Sequence, residues 1–298
     1  MATVTAQLPP HQDQCRKALL AAQQALPTRP GNAKKHHGAI RIDTGSWWLD
    51  KPLELQGEIG LISDEPDILR GNTTLAPIIA TFPSGEPLVR TKFSDGKNGN
   101  GNFDTKFRGI RFECLNYASG LSVGTGQSSR VDQIRVHNPL YFGIEILRGS
   151  RSLTLDSIDL DYDLHTEERP VGITALKADG ITLGEGNIQR FDTGFHLSKC
   201  AGWRMNGVWH LEHTRFAATL VGCVGMRLDG FVIQNAADEG LLVDMSRCRR
   251  NGGNVIGGVI RRTKDPMWIP PGGSDTEPLP VQGNPASENA WATWEVRG

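Results

Sequence analysis

The chain has 298 residues, with 32 basic against 33 acidic side chains and a formal net charge of −1. A balance this even gives no case for a broad electrostatic nucleic-acid surface. No apolar run reaches the roughly 18 residues of a membrane span, and residues 1–30 lack the basic start and apolar centre of a signal peptide. Five cysteines rule out a closed disulfide set. Synthesis in a cytoplasm without export is the expectation. Glycine, at 35 residues, is well above its usual share of about 7%, which suits a chain that turns corners repeatedly.

In chain order, residues 11–26 read as the one helix, because Cys15, Leu19, Ala22 and Leu26 fall on one face and Pro27 and Pro30 stop it. Lys34-Lys35-His36-His37 reads as a solvated linker. The first strand is expected over Ala39-Ile40-Arg41-Ile42, followed by a turn at Gly45, then Trp48 and Leu49, then Pro52 to Leu55. A Gly/Asn-rich stretch, Phe93 to Asp104, offers alternating oxygens, yet they are mostly neutral and no glutamate follows at the calcium-loop distance. A hairpin-like loop is the expectation there.

From Phe107 to Ile260 the sequence repeats. The motif hydrophobic-x-small/polar-hydrophobic-x-hydrophobic occurs at Phe107 (FRGIRF), Val131 (VDQIRV), Leu155 (LDSIDL) and Leu228 (LDGFVI), with looser copies at Met205 and Val255. Behind each follows a small residue and an apolar alternation, at Gly120, Gly143, Gly172, Gly194, Ala217 and Gly240, in steps of 23, 29, 22, 23 and 23. The long step is explained by a polar insertion at residues 165–170. A period of this size marks a solenoid, whose turns bury their core only by stacking. The leucine-rich-repeat signature is absent, which leaves an all-β, single-stranded parallel β-helix with an N-terminal capping helix over its open first turn. The expected organisation is a capping segment (1–37), a β-helix (38–262) and a Pro/Gly/Trp-containing extension (263–298). After Arg262 the period ends, and Trp268, Trp291 and Trp294 must dock either on the solenoid's lateral face or on a neighbouring subunit.

Two stretches, GAIRIDTGSWWLDKPLEL from Gly38 and IGLISDEPDILRG from Ile59, are similar to the entry motifs of the pectate-lyase-like superfamily of right-handed β-helices, which includes phage tailspike-type proteins. The resemblance implies the fold and its right-handedness, not a reaction. The superfamily's usual catalytic signatures are missing: there is no Asp-Asp dipeptide, no Gly-His-Gly and no Trp-Ile-Asp-His run.

Candidate site residues follow from stacking. In the third repeat, Ile158, Leu160, Tyr162 and Leu164 are expected inward, with Asp159, Asp161 and Asp163 in an outward row. Arg135 and Arg111 then stack beside Asp159, and His137 and Glu113 beside Asp161. Glu113, His137, Asp159 and Asp161 form the best catalytic constellation, with Glu113 and Asp161 about 10 Å apart, near the carboxylate separation of inverting glycosidases. An ordinary exposed ladder of opposite charges has the same appearance. Trp209, taken as outward beside an inward Val208, together with Arg135 and His196, gives a candidate glycan-binding set. Glu145, Thr174 and His196 are expected in one outward column. His210, Glu212 and His213 lack the spacing of a zinc helix, so neither a metal nor a cofactor is expected. Cys200 and Cys223 should stack on adjacent turns, as thiols or as a bridge.

Relatives that degrade pectin are exported, whereas phage proteins of this fold are released by lysis. The resemblance therefore implies a virion component, tailspike-like or a capsid decoration, with a homotrimer, other virion proteins and cell-surface polysaccharide as partners, and with no nucleic acid or membrane among them. The alternative is a polysaccharide lyase or glycoside hydrolase.

Overall fold

The computed structural model describes residues 2–29, 32–43, 45–56, 58–63, 76–92, 105–124, 128–164, 168–234, 241–248, 252–261, 267–269, 279–280 and 292–297. The expected loop over 93–104 and the glycine at 240 lie outside these residues, as do residues 165–167 of the insertion at 165–170.

Local alternation builds two rows of parallel strands. The first row runs through Lys106–Glu113, Ser129–His137 and Leu153–Asp161, continues as the paired pieces Gly186–Gln189 and Trp209–Glu212, and proceeds to Arg227–Gln234 and Val255–Arg261. The second row stacks Leu53–Gln56, Pro87–Lys92, Ser119–Val123, Phe142–Ile146, Val171–Leu176, Thr193–Ser198, Phe216–Val221 and Leu241–Asp244. Together they coil through about eight turns of a right-handed parallel β-helix. Each turn contributes to both rows, in places as two short strand pieces, so paired residues on neighbouring turns lie about 4.8 Å apart.

The sequence motif has a backbone cause. Gly109, Gln133 and Ser157 occupy successive turns with φ of 71°, 54° and 52°, a left-handed bend in the middle of each first-row strand. The bend shifts the alternation by one, so Phe107, Ile110 and Phe112 all point inward, as do Val131, Ile134 and Val136 above them. Small residues at the second-row corner have a different cause. A Cβ on Gly143 would sit 2.9 Å from the carbonyl oxygen of Gly172, and one on Gly172 would sit 2.6 Å from that of Gly194. Gly120, Gly143, Gly172, Gly194 and Ala217 therefore form one column in which each turn's carbonyl fills the space beside its neighbour's Cα.

The cap is Cys15–Ala25, the α-helix among the described residues, preceded by a short 3-10 turn over Gln12–Gln14. Its Cys15, Leu19 and Ala22 are buried, with Leu26 just beyond, against the first turn. The strand Thr3–Ala6 covers the remaining edge, pairing in parallel with Ala39 to Ile42. Nothing in the sequence reading anticipated this strand, since four residues carry too little periodicity.

Three expectations need correction. The segment containing Lys34 to His37 is not a linker but part of the strand Asn32–Ile42, and the His36 ring bonds the Leu26 carbonyl at 2.7 Å. Leu164 is exposed rather than inward, because the strand ends at Asp161 and alternation stops with it. The ladder also continues past residue 262: Met267–Ile269 pairs with Leu241–Asp244, and Ala292–Arg297 pairs with Val255–Arg261. The backbone at Trp268 and Trp294 thus adds rungs at the end of the coil instead of crossing its lateral face; Trp291 lies outside the described residues.

Cys200 and Cys223 are buried free thiols, joined by Cys248 on the next turn. Their Sγ atoms lie near the carbonyls of Ala175, Leu197 and Leu220 at 3.7, 3.2 and 3.4 Å. A thiol at this distance serves as a weak donor, and the column is a small-volume core element in keeping with that.

Candidate functional site

Two outward columns of the first row carry the polar chemistry. Registers place Arg111, Arg135, Asp159, Asn187 and His210 in one, and Glu113, His137, Asp161, Gln189 and Glu212 in the other. Glu113, His137, Asp159 and Asp161 are therefore brought together on one face, as is Arg135. The bends at Gln133 and Ser157 keep these strands in step, since both turns carry them at the same place.

In the first column Arg135 donates to Asp159 Oδ2 through Nε at 2.6 Å and Nη2 at 2.5 Å, and Asn187 donates to Asp159 Oδ1 at 3.1 Å. In the second, the His137 ring links three turns. Its Nδ1 lies 2.9 Å from Glu113 Oε2, and its Nε2 lies 3.0 Å from Asp163 Oδ2. The stacking register places His137 beside Asp161, yet its imidazole reaches the following carboxylate, Asp163, on the loop side of the strand. Asn138 fixes that loop, its Oδ1 accepting from the Asp163 backbone N–H at 2.7 Å. Arg111 Nε lies 2.6 Å from the other oxygen of Glu113, and Arg190 pairs with Asp163.

Electrostatics follow from these contacts. Carboxylates at both ring nitrogens favour the imidazolium, since a neutral ring would turn a lone pair toward one of them. The His137 pKa is accordingly raised above its ordinary value, first by the hydrogen bond to Glu113, against a partial opposing effect of burial. Asp161 differs: its Oδ1 is buried without a hydrogen-bond partner, and Arg190 Nη1 stands 3.8 Å from it. Among the described residues, potential donor atoms of His137, Asp161 and Asp163 lie within 4.8 Å of one another, a grouping that could hold a divalent ion. The Arg190 guanidinium already supplies positive charge to both aspartates. His210, Glu212 and His213 do not converge in this way; His210 faces outward one column over from Glu212, and His213 Nε2 is 3.9 Å from Glu212 Oε1.

The glycan-binding set is split. Arg135 is on the first row. His196 is on the second, in the column Ser122, Glu145, Thr174, His196 and Thr219, where Ser122 donates to Glu145 at 2.7 Å. Trp209 is not an exposed platform: it is fully buried, and Val208 is 43% exposed. The turn has one residue more between Met205 and Trp209 than its neighbours have between Leu183 and Gly186, and a one-residue slip exchanges the faces. Gly186 one turn below leaves room for the indole, which meets Phe195 edge-on at 5.0 Å and 72°.

With this geometry in view, solved structures give the comparison. ORF18 of Geobacillus virus E2 is 11% identical over 90% of this chain and 61% of its own length, with a TM-score of 0.53. The shared fold is a parallel β-helix. Also similar are the tailspike protein of Acinetobacter phage vB_ApiP_P1 (14% identity, 99% of this chain and 59% of that one, TM-score 0.47) and an endo-xylogalacturonan hydrolase from Aspergillus tubingensis (8%, 92% and 79%, TM-score 0.46). The chain thus spans about three fifths of the length of the two phage proteins. No family model and no curated protein sequence matches this chain.

Proposed function

We propose that this β-helix is a structural component of a phage particle, tailspike-like or a capsid decoration, assembled as a homotrimer and presenting its first strand row to a surface polysaccharide. The similarity to phage proteins supports the setting. One observation carries the binding role over a catalytic one. Glu113, Asp159 and Asp163 each already engage an arginine, the His137 ring or both, so any of them acting as nucleophile or base would first give up a partner. A ladder with its charges satisfied in this way is rigid and offers fixed donors and acceptors to hydroxyls.

Subunit mass at micromolar concentration and retention on a panel of bacterial polysaccharides test this reading. Trimers, with retention by wild type and by Asp161→Asn alike, are expected; monomers with no retention would overturn it.

A second reading, an inverting glycoside hydrolase or a lyase, draws on one feature. Asp161 holds an unsatisfied oxygen beside the His137 ring, whose nitrogens contact Glu113 at 2.9 Å and Asp163 at 3.0 Å. New reducing ends or unsaturated products from the same panel, lost in Asp161→Asn, would establish it in place of the binder.

A further inference from the structure

The corner that leads from the second row back to the first has a charge distribution unlike the rest of the surface. Its segments are 147–154, 176–182, 198–204, 221–227 and 245–248, stacked one per turn. They carry Arg148, Arg151, Lys177, Lys199, Arg204, Arg227 and Arg247, all exposed, against a single described carboxylate, Asp179. In a chain of net charge −1 this is segregation, not composition.

Pairing sharpens the contrast. On the first row Arg108, Arg111, Arg130, Arg135 and Arg190 each meet a carboxylate. The seven corner cations form no ion pair among the described residues. The cations are also aligned. Lys177 and Lys199 follow each other on adjacent turns, both in the left-handed conformation, with the Lys177 N–H bonded to the Ser198 carbonyl at 2.8 Å and the Lys199 N–H to that of Val221 at 2.6 Å. Arg204 and Arg227 are register partners, an exposed like-charge pair of the kind that destabilises a sheet when nothing lies over it. Exposed Val224 stands between these lines, and exposed Leu176 immediately before the lysine line.

We infer that this corner is a binding strip for a linear acidic polysaccharide lying along the solenoid axis, its carboxylates or sulfates meeting cations repeated at about 4.8 Å or multiples of it. The strip's backbone is hydrogen-bonded from turn to turn, so an extended polymer meets many cations at little ordering cost to the protein. Leu176 and Val224 offer apolar footing for the C–H faces of sugar rings. A single-stranded nucleic acid would call for exposed aromatic stacking platforms, and the corner's one aromatic residue, Trp203, is fully buried. The inference rests on the proposed function only in taking a glycan as partner, and it concerns a different face from the His137 ladder.

The test is binding of the full chain to hyaluronan and alginate, with dextran, a single-stranded oligonucleotide and phosphatidylglycerol vesicles measured alongside, at about 0.05 and about 0.3 M salt. The acidic polysaccharides are expected to bind and dextran not, with affinity falling about tenfold or more at the higher salt. Lys177→Glu combined with Lys199→Glu is expected to weaken binding by about tenfold or more while leaving the melting temperature in place. Lys17→Glu, a charge reversal on the exposed side of the capping helix, is expected to leave it unchanged. Failure to bind either acidic polysaccharide, equal binding by the charge-reversed protein, or tighter binding to the oligonucleotide or vesicles would overturn the inference. Retention of neutral host polysaccharides with no effect of the corner variants would sink the strip alone and leave the proposed function standing.

Discussion

The first strand row and the corner that leads into it are built by the same rule, one residue directly above another at every turn, and they reach opposite electrostatic outcomes. On the row, sign alternates or is bridged: Arg135 stands beside Asp159, and His137 joins Glu113 to Asp163. On the corner, apart from Arg151 beside Asp179, sign repeats, with Lys177 beside Lys199 and Arg204 beside Arg227. A solenoid amplifies whatever its repeat carries. Alternation becomes a self-satisfied ladder, and repetition becomes a surface that must find its counter-charge elsewhere.

The comparison can be sharpened from the inside out. Trp209→Ala is expected to have the largest effect, costing about 3–5 kcal/mol in urea denaturation, because it empties a core position shared with Phe195. Polysaccharide retention by the folded fraction should persist, since the indole presents no surface. If the row is a ladder of mutual satisfaction, Glu113→Ala should come next, at about 1–3 kcal/mol, by leaving Arg111 and His137 without their shared partner. A smaller loss would mean that the row's pairs are as dispensable as ordinary surface ion pairs.

The pH dependence has a definite sign. The folded pKa of His137 is raised, so its contribution is fully present below the unfolded value of about 6.5 and is lost as pH rises through the higher folded value. Thermal melts of wild type should therefore fall, relative to His137→Gln, on going from mildly acidic to mildly alkaline buffer. A difference independent of pH would remove the imidazolium from the account. The smallest effect belongs to the corner: Lys177→Ala and Lys199→Ala should change stability by no more than about 0.5 kcal/mol, and relief of repulsion favours a slight gain. A loss above about 1 kcal/mol would show the corner cations to be partnered after all.

Much of this was legible in the sequence because stacking makes register a matter of counting. The pairing of Arg135 with Asp159, and of His137 with both Glu113 and Asp161, follows from the motif alone. Counting failed where a turn changed length. Val208 is an extra residue in its turn, and it reversed the reading of Trp209. It failed again past the end of a strand, where Leu164 turns outward and Asp163, not Asp161, receives the His137 ring. Thr3–Ala6 and Ala292–Arg297 are strands only because an existing edge accepts them, and no local pattern announces that. The corner cations were visible as letters, but their common face required the coil.

The five sulfhydryls have a practical corollary. All are reduced and buried, three of them in consecutive turns. A thiol-specific reagent should find none of them while the coils stay shut and Cys200, Cys223 and Cys248 only where neighbouring coils part. Labelling followed residue by residue would thus time the local breathing of the rod, turn by turn, with reporters that the chain already carries.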